Sequence, residues 1–154
     1  MNFYSDEAEW KYLFRNAIDW DTIIPLYYTK FPTEDGFNNK EEVIDFLEEL
    51  VTSTGDWTGN SLAPRARELD ETGAGKVENG ITIPSAPLQK TYDEATELQF
   101  FGLTADPEYG GLGVPVATGM VSFTQVNRAC VSTATQMGFF TSIIDMIERF
   151  CEKE

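Results

Sequence analysis

The groups in this chain able to do chemistry are its carboxylates, two thiols and one run of small hydroxyl-bearing residues; histidine is missing altogether. Without imidazole there is no His-based metal ligand set, no Ser-His or Cys-His nucleophile pair and no general base of the commonest kind. Hydrolase chemistry is therefore disfavoured. Cys130 and Cys151 stand in apolar helical surroundings, where buried reduced thiols are expected rather than a disulfide or a nucleophile. Glu108 sits in a turn and could be imagined as a base, but anchoring the local backbone is the plainer expectation. Glu41, Asp45, Glu48 and Glu49 read as a solvated helix face, because a calcium loop needs turns and glycine at fixed positions. The glycines at 110, 111 and 113 do not make a phosphate loop: G-x-G-x-x-G is absent, no Lys-Ser/Thr follows, and the cluster leaves a helix rather than a strand. Residues 132–142, STATQMGFFTS, are more suggestive. Their Ala, Gly, Ser and Thr permit close approach, and Met137 offers an adaptable apolar surface.

The elements that must position these residues are mostly helical. Val43, Phe46, Leu47, Leu50 and Val51 recur at three and four residues, with Asn39 as N-cap and Glu42 three positions later in a capping-box arrangement. Pro25 and Pro32 punctuate the earlier part, giving short helices over residues 7–16 and 21–28 and a polar loop over 29–39. Residues 52–64 hold two glycines and a proline, so propensity favours a helix break near Gly55. Residues 73–87 carry strand and turn chemistry, with Asn79-Gly80 set for a tight hairpin between Val77 and Ile81. A helix over 92–101 then runs into a turn in which Pro107, Gly110, Gly111, Gly113 and Pro115 redirect the backbone. Helices over 116–128, 133–139 and 141–151 follow. The expected fold class is all-α, with a short hairpin near residues 77–84.

With 26 acidic against 11 basic residues the net charge is −15, which argues against nucleic acid or an anionic membrane as partner. Twenty of the 26 acidic residues fall in residues 1–99, whereas residues 109–144 carry one charge, Arg128. That stretch reads as interior, buried within a larger protein. Polar residues interrupt it before ~18 apolar residues accumulate, so no membrane span is expected. The N-terminus has neither a basic n-region nor an apolar h-region, so no secretory signal is read and the cytoplasm is expected by default.

Three motifs carry a family resemblance. G-L-x-x-x-P-E-Y-G-G-L-G-x-P over residues 102–115 resembles the signature of the N-terminal helical domain of acyl-CoA dehydrogenases. Upstream, S-L-A-P-x-A-x-x-x-D-x-x-G (61–73) and V-E-N-G-x-x-x-P (77–84) resemble a bacterial subgroup, the 3-methylmercaptopropionyl-CoA dehydrogenases. Downstream, N-R-A-C-V-S (127–132) takes the place of the family's A-R-x-D-x-S, with Cys130 replacing the acidic residue. The resemblance covers residues 60–150 and is loose before them.

It implies a single N-terminal domain over residues 1–154, with short helices over 1–40 as an extension and a helical core over 41–154. It favours continuation of the helix past Gly55. It further implies that the family's middle β-domain and C-terminal helical domain, which hold most flavin contacts and the catalytic glutamate, are absent here. The full-length enzyme would use FAD, an acyl-CoA substrate and an electron acceptor to desaturate a thioester, and is expected to be a homo-oligomer. This chain alone would be inactive and would not bind FAD. By position, Ala134, Met137, Gly138, Thr141 and Ser142 are the candidates for the inner wall of the acyl cavity, at a loop between two helices. A freestanding helical acyl-binding or interaction module is the alternative.

Overall fold

The structure is a computed structural model that describes residues 1–152; Lys153 and Glu154, the end of the expected domain, lie outside the described residues. The element order is α1 (Ala8–Asn16), α2 (Trp20–Tyr27), α3 (Lys40–Trp57), a π-turn (Thr58–Leu62), α4 (Ala63–Thr72), β1 (Gly75–Glu78), β2 (Ile81–Pro84), α5 (Ala86–Glu97), α6 (Val116–Ala129) and α7 (Val131–Phe150). The mainly helical class stands as read. So does the hairpin, which pairs Val77 with Thr82 and Glu78 with Ile81 in antiparallel register. Asn79 and Gly80 both take positive φ, as this two-residue turn requires. Asn39 caps α3 by accepting the Glu42 amide at 3.0 Å, while Glu42 reaches back to the Asn38 amide at 2.8 Å.

Propensity fails at Gly55. The helix runs on through the π-turn into α4, because its glycines serve a neighbour. Phe3 N donates to Gly55 O at 3.0 Å. A Cβ at Gly55 would lie 2.3 Å from Asn2 Oδ1, and one at Gly59 would lie 1.9 Å from the Met1 carbonyl oxygen. The N-terminal ammonium donates to Asn60 Oδ1 at 2.6 Å. The glycines therefore form a track on which the first four residues lie. Pro64, at the start of α4, would clash with the carbonyl four residues back in a regular helix, and the wide turn opens the backbone there.

Two other boundaries move. α5 starts at Ala86 rather than 92, because Pro87 suits a first helical turn, and it ends before Gln99, whose φ of 54° is left-handed. The helices expected over 133–139 and 141–151 are one helix, α7, since no breaker stands at Phe140. The N-terminal residues join one core: Tyr4, Phe14, Trp20 and Ile24 pack with Val43, Leu47, Val51, Leu62, Val114, Val126, Ala134 and Met137. The thiols are free but not buried as expected, with Cys130 half-buried and Cys151 exposed. The uncharged stretch is not wholly interior either, for the outer face of α7 exposes Phe139, Phe140 and Ile143.

Candidate functional site

Residues 102–114 fold back on themselves. Leu112 N donates to Gly102 O at 2.9 Å, Gly113 N to Ala105 O at 2.8 Å and Val114 N to Leu103 O at 3.0 Å. Gly110 and Gly113 take positive φ. Gly111 does not, yet a Cβ there would lie 2.1 Å from Ala105 O, so glycine is needed for close passage. Asp106 accepts the Glu108 amide at 2.8 Å, so the aspartate, not Glu108, caps this turn. The turn delivers Pro115 to the start of α6, and the corner from α6 to α7 is a single extended residue, Cys130.

Between the turn, α6 and α7 lies a groove with a cavity of about 350 Å³. Phe100, Leu103 and Thr104 come from the turn, Val116, Gly119, Met120 and Phe123 from α6, and Thr135, Gly138, Phe139, Thr141 and Ser142 from α7. Of the sequence candidates, Gly138, Thr141 and Ser142 line this groove. Ala134 and Met137 do not: both are fully buried and belong to the core behind it. All five sit on α7 itself rather than on a loop. Sequence reasoning missed the α6 wall, for which a mid-helix glycine, Gly119, was the available signal.

The groove is braced from behind by an ion pair. Arg65, nearly buried, donates to Glu94 Oε1 at 2.7 Å and to Oε2 at 3.0 Å, to Ser61 Oγ at 2.7 Å and to Thr91 Oγ1 at 2.9 Å. Trp57 Nε1 donates to Glu94 Oε2 at 2.9 Å. Burial alone would raise the Glu94 carboxyl, but hydrogen bonds from Arg65, Trp57 and Ser61 overcome it and hold the group down to about 2. The Trp57 ring thus fixed packs against Phe100, centroids 5.9 Å apart, and Phe100 lines the groove. Cys130, at the corner, accepts from Thr133 Oγ1 at 3.2 Å. Its thiol is pushed up by burial but pulled lower on balance by Ser132 and Thr133.

No ionisable side chain lines the groove among the described residues, so it can hold an apolar group and exclude water but cannot move a proton. Nor do the described residues gather three metal-ligating side chains. The turn does not suit a dinucleotide phosphate, because the amides of residues 110–114 are all spent on backbone carbonyls. No helix among the described residues is long and apolar enough to cross a membrane.

Comparison with known proteins gives two matches. The model of the acyl-CoA dehydrogenase N-terminal domain matches residues 45–154. The chain is also similar to 3-methylmercaptopropionyl-CoA dehydrogenase of Ruegeria pomeroyi, at 24% identity over 107 residues. That alignment covers 69% of this chain and 18% of the relative, so the chain spans less than a fifth of the relative's length. No solved structure matches.

Proposed function

Because the chain belongs to the acyl-CoA dehydrogenase family as its N-terminal domain, we propose that it forms the acyl-cavity wall of an FAD-dependent enzyme that desaturates an acyl-CoA thioester between Cα and Cβ. The observation that carries this reading is the uncharged groove between α6 and α7, with Gly138, Thr141 and Ser142 on one side and Phe123 and Met120 on the other. An apolar chain laid there would be removed from water and held in a low-dielectric setting. The proton-abstracting carboxylate and the flavin contacts belong to parts of the enzyme beyond this domain, since the groove has no base and the turn no free amides. Acyl-CoA and an electron acceptor are the partners of the full-length enzyme, whose expected place is the cytoplasm and whose expected state is a homo-oligomer.

The test uses the protein encoded by the whole gene. Purified with its flavin and given an acyl-CoA and an artificial electron acceptor, it is expected to produce the 2-enoyl-CoA. A gene product that binds acyl chains without flavin and without turnover would favour the freestanding acyl-binding module instead.

A further inference from the structure

Gly138 and Phe123 face each other across the α6–α7 seam, and both line the groove. A Cβ built on Gly138 would lie 2.8 Å from Phe123 Cζ and 2.9 Å from Cε2, inside any tolerable carbon contact. The ring therefore occupies the space that a side chain at 138 would need. It cannot retreat inward, because Ala134, Met137 and Val126 fill the core beside it without voids to spare. Its one direction of escape is into the groove.

We propose that Gly138 and Phe123 together set the length of chain that the groove admits, glycine at 138 seating the ring against α7 and so keeping the groove open. The proposal rests on the acyl-wall reading above and adds the pair that decides substrate size. The occupant is a linear, uncharged hydrocarbon chain: the lining carries no charge, and the chain's net charge of −15 disfavours an anionic head in the groove itself. A dry apolar cavity of roughly 150 Å³ holds benzene, so about 350 Å³ has room for a chain of intermediate length.

The experiment titrates the chain with n-alkanols from hexanol to dodecanol and follows the backbone amides of Gly138 and Ser142 by NMR. Affinity is expected to rise about fourfold per methylene, the factor for burying one CH₂, and then to level off at a limiting length. In Gly138→Ala the displaced ring should shorten that limit by about two carbons. Phe123→Leu in the same background should restore it, and Phe123→Leu alone should lengthen it, which keeps the test decisive even if Gly138→Ala folds poorly. Saturable binding with the same limit in all variants overturns the Gly138–Phe123 proposal and leaves the acyl-wall reading standing. No saturable shift with any alkanol overturns both. Shifts at these amides that follow protein concentration without alkanol would assign the groove to a second copy of the chain, and the proposal falls.

Discussion

At the scale of single residues, two glycines make opposite arguments about why glycine is needed. Sequence reasoning places the Gly110-Gly111 pair at positive φ, which holds for Gly110 but not for Gly111. Gly111 is fixed by the Ala105 carbonyl oxygen, which a Cβ would meet at 2.1 Å. Gly111→Val is therefore expected to cost about 1–3 kcal/mol through overpacking, read as a lower urea midpoint with unchanged slope. Gly59→Ala should also destabilise, although alanine gains about 1 kcal/mol in helix propensity, because the new methyl meets the Met1 carbonyl oxygen. The sign should reverse once residues 1–4 are removed. Thermal melts of the four proteins form a double-mutant cycle, and additive effects would mean that the N-terminal segment does not press on Gly59. This contact also explains what was illegible. A sequence shows that Gly55 and Gly59 are poor helix formers but not which backbone crosses them, sixty residues away in the chain.

At the scale of elements, local signals were readable where they were self-contained. Asn39 with Glu42, Asn79-Gly80 and the apolar spacing of Val43, Leu47 and Val51 each depend on neighbours within a few residues, and each appears as read. The α6 wall was hidden because Phe123, Met120 and Val116 look like any apolar helix face until α7 is laid against them. Ala134 and Met137 could not be told from Gly138 and Thr141 for the same reason: facing core or groove depends on how α7 is turned. The brace between α4 and α5 yields a pH prediction. A carboxyl depressed from 4.5 to about 2 in the folded state contributes fully above pH 4.5 and loses that contribution as pH falls towards 2. Stability measured by urea unfolding should drop across that window by on the order of 3 kcal/mol on account of this group. Glu94→Gln should lower stability near neutral pH by about 3 kcal/mol, because Arg65 is left nearly buried without its counter-charge. The same variant should flatten the acid limb, and an unchanged limb would show that other carboxylates govern it.

At the scale of the whole molecule, charge and apolar surface are segregated. Phe139, Phe140, Ile143, Met146, Ile147 and Phe150 are all exposed along α7, with Phe150 at 81%, while most acidic residues lie in the first two thirds of the sequence. Exposed apolar patches of this extent on a lone domain mark surfaces made for covering. At low salt the net charge of −15 should keep copies apart. At physiological ionic strength, with a Debye length of ~8 Å, light scattering should show self-association, and Phe139→Ser with Phe150→Ser should abolish it. A monomer at every salt concentration would mean that the patch is too broken by Ser142 and Asp145 to pair. The one-residue corner at Cys130 has a mechanical consequence at this scale. α6 and α7 are two leaves joined by a pin at Cys130, and Glu148, accepting the Asp106 amide at 2.9 Å, latches the far end of α7 to the turn. Gly138 stands about 12 Å from the pin and Ser142 about 18 Å. A tilt of about 5° would part the leaves by about 1 Å at Gly138 and half as much again at Ser142. The gauge-setting pair thus sits where the jaw is stiffest, and the mouth, held by one solvent-facing hydrogen bond, is where it gives.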